Sequence, residues 1–389
     1  MDKRKLKIVH FINPDEKFMK GVTSSFNKLE NVENRYYYIL PLKKKLNTYV
    51  KINGFINTVS QKKVLDLISN SDFCDVIILH SLYSMPHHLL KEIHHAIKVV
   101  WFAWGYDIYS NGYPAKPLVE ISGMYKPITK KIIKKEIALL KKIRHLAKNI
   151  IYQNKYSYKQ FKQAVYRIDY FSGVFPIEYA MLQKNSFFRA KQVYFNYPIP
   201  FLIFYSEIKD IKPFGDNILV GSSAVNKNNH LDVFEKIKDI EKKKIIVPLS
   251  YQGTKDYVKI ICKEGKRLFG NRFIPLMHML PFSEYAALIQ NCGVAIFYLE
   301  QQAGAGNILT SLWMGFKVFL SKTSINYKYL RSEDLILFTI QDDLNSVAIN
   351  NKLSEQDIYH NRKIIKNLYS YNAWKYKMEK TLNIIREDL

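Results

Sequence analysis

The sequence has little cysteine, little acid and no long uncharged run. Its three cysteines, Cys74, Cys262 and Cys292, are odd in number and far apart. That argues against a disulfide framework and fits a reducing cytoplasm, with each thiol read as a small buried residue. No Cys or carboxylate cluster completes a tetrahedral metal set, and no Asp-x-Asp is present to hold a divalent ion. His87-His88 and His94-His95 lie two helical turns apart, but adjacent residues in each pair point in different directions, so no metal is expected. No stretch approaches the ~18 uncharged apolar residues of a spanning helix, and the chain is read as soluble or peripheral. The start, MDKRKLKIVHFI, meets Asn13-Pro14-Asp15-Glu16 too soon for a signal peptide and reads as a first strand. Internal repeats, low-complexity tracts, zinc-finger spacing, an RNA-binding aromatic signature and a helix-turn-helix arrangement are all missing.

The shortage of acid sets the charge. Asp and Glu number 34 against 59 Lys and Arg, a formal net charge of +25. Such a balance points to nucleic acid, an anionic membrane surface or polyanionic substrates. A hydrophobic content of 48% and 14% aromatics mark a globular chain, and 389 residues suffice for two or three domains.

Short apolar runs alternate with helical patterns from the start. Strands are expected at 6–12, 36–40, 76–80, 99–104, 150–153 and 193–197, and helices at 22–29, 62–68, 89–97 and 128–146. Pro198, Pro200 and Pro213 mark a linker, after which the pattern restarts. Strands are then expected at 218–221, 245–249, 273–278, 294–299, 318–320 and 336–338, with helices at 230–240, 257–268, 283–290 and 308–314. The last segment, 355–389, reads as helix able to reach back to the first domain. Alternating elements predict an α/β fold of two Rossmann-like domains facing a cleft, with ligand at the strand C-termini. The boundaries are 1–197, a linker at 198–215, and 216–389.

The stretch 294–320, VAIFYLEQQAGAGNILTSLWMGFKVFL, organises the second half. A strand without alternation leads into Gly304-Ala305-Gly306 and a helix start, where free N–H groups and a close backbone suit a diphosphate or form an ordinary crossover. Gly221-Ser222-Ser223 with Asn228-Asn229-His230 has the same anion-binding character, Asn228 serving otherwise as a plain N-cap. Tyr251 offers a ring to a nucleobase, and Glu300, Gln301 and Gln302 offer acceptors and donors to ribose or sugar hydroxyls. In the first half, Trp101-x-x-Trp104-Gly105-x-Asp107-x-Tyr109 leaves a strand. Asp107 there acts as a base, binds hydroxyls or caps the next helix. His80 and His10 end two strands and point to the cleft or into the core. The run Lys126–Lys148 carries an apolar stripe among Lys130, Lys131, Lys134, Lys135, Lys141 and Lys142. It is a core-packed helix with a solvated face, or one that adsorbs on anionic phospholipid.

Together these blocks resemble the TDP-4-acetamido-4,6-dideoxygalactose (Fuc4NAc):lipid II transferases of enterobacterial common antigen synthesis. The resemblance rests on the Trp101–Tyr109 motif, Ile218-Leu-Val-Gly221-x-Ser223 with Asn228-x-His230, and Val247-Pro248 with Tyr251. It continues through Phe282-x-x-Tyr285-x-x-Leu288 and Gln301-Gln302-x-Gly304-x-Gly306, in scattered blocks from about residue 75 onward. It implies a GT-B glycosyltransferase that needs no metal. A nucleotide-sugar donor, TDP-linked, would be held by Gly221, Ser223, Asn228, His230, Tyr251, Gln301, Gln302, Gly304 and Gly306, to which the reading of the residues themselves adds Glu300. A polyprenyl-diphosphate-linked saccharide acceptor would face His10, His80, Trp104, Asp107 and Tyr109 at the cytoplasmic side of the bacterial inner membrane. Asp107 is the first candidate for a catalytic group and His80 the second. Departures from the family pattern, Glu300 in place of a basic residue and Ser222, Ala224 and Ser250 in place of Asn or Gly, bear on the identity of the sugar. Two rivals remain: a nucleotide-sugar epimerase of GT-B shape, whose carboxylate cluster is not visible, and a non-catalytic polyanion-binding protein, which lacks a nucleic-acid motif.

Overall fold

The computed structural model describes residues 4–12, 16–40, 56–109, 117–134, 158–195 and 215–389. By their contacts they form two units. The first takes Met1–Glu120, Ala147–Ile203 and Tyr369–Leu389; the second takes Ile121–Leu146 and Phe204–Leu368. The segment 121–146, which the sequence boundaries assign to the first half, is thus part of the second unit.

In the first unit, β1 (Leu6–Phe11), β2 (Val32–Ile39), β3 (Ile56–Val59), β4 (Val76–Leu79), β5 (Lys98–Phe102), β6 (Tyr170–Ser172) and β7 (Lys191–Gln192) form one sheet. Its order is β3-β2-β1-β4-β5-β6-β7, and every pairing is parallel. The central strands β1, β4 and β5 are almost wholly buried, as runs such as VIIL and KVVWF require when both sheet faces are covered. β3 and β6 have no counterpart among the expected strands, and β7 falls at Lys191–Gln192, ahead of the strand expected at 193–197. The helix expected over 89–97 stops early, at His87–Leu90. There the His94 N–H is drawn 2.8 Å to the Ile68 carbonyl, and the chain leaves the helical path. The expected strand 150–153 and the linker residues 198–214 lie outside the described residues.

The final helix, Tyr371–Glu387, packs into this first unit. Ser370 caps it by accepting the Ala373 N–H. Trp374, Met378, Leu382 and Ile385 recur at helical spacing and join Leu6, Phe26, Tyr36 and Val193 in one core. Arg386 fastens the far end by donating to the Arg4 and Asn31 carbonyls. The C-terminal helix therefore does cross back, as expected of the helical segment 355–389.

The second unit holds β8 (Asn217–Val220), β9 (Ile245–Pro248), β10 (Phe273–Leu276), β11 (Cys292–Phe297), β12 (Lys317–Leu320) and β13 (Phe338–Thr339). Their order, β10-β9-β8-β11-β12-β13, is that of a doubly wound sheet, and the order reverses between β8 and β11. Among the described residues no helix is long and apolar enough to cross a membrane.

Candidate functional site

In the first unit the candidate residues gather where β1, β4 and β5 end. His10 and His80 are both fully buried, with His10 Nδ1 2.9 Å from His80 Nε2. The Asn34 amide donates to the Phe26 carbonyl, so its oxygen faces His10 Nε2 at 3.0 Å and accepts from it. That leaves His10 Nδ1 as the acceptor for His80 Nε2–H, and both rings are neutral. Burial lowers His10 to about 4 and His80 well below the ordinary range.

Asp107 is 1% exposed. Its carboxylate accepts from Ser81 Oγ (2.6 Å), Leu82 N (3.3 Å), Trp101 Nε1 (3.1 Å) and Trp104 N (3.0 Å). The bond from Trp104 N is the returning half of a capping box for the helix Gly105–Tyr109. Burial raises Asp107 to about 6 against the pull of these donors, so above that pH it carries its charge. Asp107 thus ties the loop after β4 to the loop after β5, with its lone pairs occupied by protein donors. Trp104 is partly exposed and donates from its ring to the His80 carbonyl at 2.9 Å. Tyr109 turns inward and donates to Glu178 at 2.6 Å, while Glu178 also accepts from Phe175 N. Of this group only Trp104 presents surface to a ligand.

In the second unit, two loops meet at the reversal of strand order. Gly221 follows β8 with φ +73°, and a Cβ there would lie 2.6 Å from His230 Nε2 and 3.2 Å from Asn228 Oδ1. Glycine is required on both counts. Asn228 accepts from Ser222 N and donates to the Ser223 and Val225 carbonyls, which shapes the loop. Gly304, at φ +67°, is the N-cap of the helix Ala305–Trp313, and a Cβ on it would meet Ser222 Oγ at 2.8 Å. The loops after β8 and β11 therefore touch. The N–H groups of Ala305, Gly306 and Asn307 have no carbonyl of their own helix to bond. Tyr285 OH holds the Asn307 side-chain oxygen at 3.1 Å.

His230 is fully buried behind Gly221, with Nδ1 3.3 Å from Tyr257 OH and no hydrogen-bond partner for Nε2 among the described residues. Burial takes it down to about 3, so it is a neutral imidazole. Tyr251 is half-buried, and its carbonyl accepts from Ala224 N, joining the loop after β9 to the loop after β8. Gln301 accepts from Lys227 Nζ at 3.0 Å, and both Gln301 and Gln302 are buried. Glu300 is occupied by the protein itself: Lys126 Nζ and Ser321 Oγ at 2.5 Å, Thr323 Oγ1 at 2.7 Å.

The sequence reading missed Lys126, Asn229 and Asp232. Asn229, in the left-handed conformation at φ +51°, accepts from Lys126 N and donates to the Met124, Lys227 and Tyr298 carbonyls. Asp232 accepts from Ile128 N, Thr129 N and Thr129 Oγ1, capping the helix that starts at 127. Asn229 lies within the Asn228-Asn229-His230 block, but the bonds that join these residues to segment 124–129 span more than 100 positions and leave no local signal. Of the lysines named for a membrane, Lys130, Lys131 and Lys134 are exposed, while Lys135, Lys141 and Lys142 lie outside the described residues. Among the described residues no three of His, Cys, Asp and Glu converge to hold a metal ion.

Solved structures share this architecture across nearly the whole chain. Anabaena Alr3699/HepE, in a complex with UDP and glucose, superposes with a TM-score of 0.60 at 10% identity, covering 97% of this chain and 100% of that one. Sucrose-phosphate synthase from Thermosynechococcus elongatus gives 0.56 at 9% identity, with 100% of both chains covered. UDP-GlcNAc 2-epimerase from Neisseria meningitidis, bound to UDP-GlcNAc, gives 0.52 at 10% identity over 98% of this chain and 100% of that one. Two parallel-sheet α/β units of this kind define the GT-B class. Residues 127–382 match the model of the 4-alpha-L-fucosyltransferases, glycosyl transferase group 56, and the chain belongs to that family. It is a glycosyltransferase.

Proposed function

We propose that this enzyme moves a deoxyamino sugar, 4-acetamido-4,6-dideoxygalactose or a close relative, from a TDP-linked donor to a polyprenyl-diphosphate-linked saccharide. It does so as a peripheral protein at the cytoplasmic face of the bacterial inner membrane, in surface polysaccharide synthesis. Family membership supports the transfer, and the Trp101–Tyr109 and Gln301–Gly306 motifs support the choice of sugar.

One observation carries the donor site. The Gly221–Ser222 turn and the Gly304-capped helix start meet at the reversal of strand order, where doubly wound sheets bind nucleotides. There the diphosphate accepts from the amides of Ala305–Asn307. Their positive end stabilises the charge that grows as the sugar–phosphate bond breaks. His230, buried behind Gly221, holds the turn in shape, and Asn228 holds Ser222. HepE is described with UDP, which supports a nucleoside diphosphate in the same kind of sheet. On the acceptor side, Trp104 offers its partly exposed ring, and Asp107 orients the loops around it.

The test is a thermal-shift titration with TDP, UDP, GDP and CMP, each with and without magnesium. A single site at a hundred times Kd adds about 2.7 kcal/mol. A shift selective for TDP and indifferent to magnesium is expected. A shift with UDP alone moves the sugar away from thymidine-linked donors, and no shift with any nucleotide overturns the donor site.

A further inference from the structure

Glu300 stands three residues after β11, four residues before the Gly304 cap, and is 3% exposed. A buried carboxylate so close to a diphosphate site is a liability, because it repels the ligand the site is built to hold. Ser321 and Thr323 give it hydrogen bonds but no counter-charge. Among the described residues the cation paired with it is Lys126, whose Nζ lies 2.5 Å away and 4.9 Å from the centre of the Tyr298 ring. Lys126 belongs to no strand of the sheet. Its backbone is held instead by Asn229, whose side chain also grips Met124, Lys227 and the end of β11 at Tyr298. The Lys126 side chain is 15% exposed, so the pair is shielded from solvent screening.

We propose that Lys126 is a positioning residue for the nucleotide donor, supplying across 174 positions of sequence the positive charge that cancels Glu300 beside the diphosphate loop. This rests on the donor site proposed above. With Lys126 in place the loop from Glu300 to Gly304 is electrically neutral toward an incoming diphosphate. Without it, Glu300 keeps its two hydroxyl donors but has lost its counter-charge, and its negative charge opposes the ligand. The segment 124–129 and the donor loops are thereby one assembly, joined through Asn229, Asp232 and the ion pair.

The experiment measures nucleotide affinity, donor KM, kcat and ligand-free Tm in the full chain for Lys126→Met, Glu300→Gln and the double variant. Lys126→Met is expected to weaken nucleotide binding at least tenfold and to raise donor KM more than it lowers kcat. Glu300→Gln is expected to bind nucleotide at least as tightly as wild type, and the double variant to recover affinity to within about threefold. Opposite effects from the two single changes report charge. A role in folding alone would lower Tm in both and weaken binding in both. If Lys126→Met does not fold, Glu300→Gln still decides: weakened binding in it overturns the proposal. Wild type that binds nucleotide while Lys126→Met binds equally well removes this inference alone. Wild type that binds no nucleotide removes the donor site and this inference with it.

Discussion

Buried ionisable groups in this protein are held by partners that sequence motifs do not reveal. Asp107 sits in a motif that suggests a base, yet its oxygens accept from four protein donors. In Asp107→Asn an amide N–H₂ must face some of those donors, and each one left unpaired costs about 1–3 kcal/mol. Calorimetry should show a lower Tm and turnover should fall, with nucleotide affinity unchanged; wild-type Tm would mean the four bonds contribute little. Glu178 makes a second case. Burial raises it from 4.5 to about 7, although Tyr109 and Phe175 donate to it. A raised folded pKa means the folded state holds its proton longer, so this group's stabilisation is complete below pH 4.5 and is lost as pH rises through 7. The difference in Tm between wild type and Glu178→Gln should therefore narrow or reverse across that window. A pH-independent difference would show that Glu178 titrates alike in both states.

Among the elements, the helix beginning at 127 differs most from its sequence reading. Its stripe was visible in the sequence, and Ile132 and Ile133 do face the second unit's interior. What could not be read was the anchor, since the Asp232 carboxylate that caps it comes from 103 or more residues away. Lys130, Lys131 and Lys134 project from the other side. Each basic group near an anionic surface contributes about 1 kcal/mol. Replacing these three by Gln should weaken binding to phosphatidylserine vesicles by about a hundredfold, seen by co-sedimentation. Unchanged binding would leave the helix as packing.

At the scale of the molecule, four histidines among the described residues are buried in the neutral state. Burial takes His10 and His87 to about 4, His230 to about 3 and His80 lower than its ordinary range. With folded values below the unfolded 6.5, each binds its proton more readily in the unfolded chain. Stability is fully present above pH 6.5 and is lost as pH falls toward 4. Glu178 and Asp107 lean the other way in part of that range, so the net slope is that of four groups against two. Unfolding midpoints in urea should drop on acidification from 6.5 to 4; a flat profile would mean that the folded and unfolded states take up protons alike.

The sequence by itself determined the class of fold, because alternating β and α periods with unbroken apolar strands can be covered only as parallel sheets. It also placed Gly221 and Gly304, since a left-handed turn that admits no Cβ leaves a glycine visible as a letter. The strands β3 and β6 stayed hidden, since INTV and YFS are too short and too polar to show as apolar runs, while four-residue strands such as VIIL were legible. Tertiary structure alone decided the roles of the charged residues. Glu300 could have faced a sugar, and Asp107 a substrate proton; which partner each meets depends on segments brought together by the sheets. Lys126 reaches Glu300 and Asp232 caps residue 128 because hydrogen bonds and ion pairs act over ångströms in space, whatever the distance along the chain.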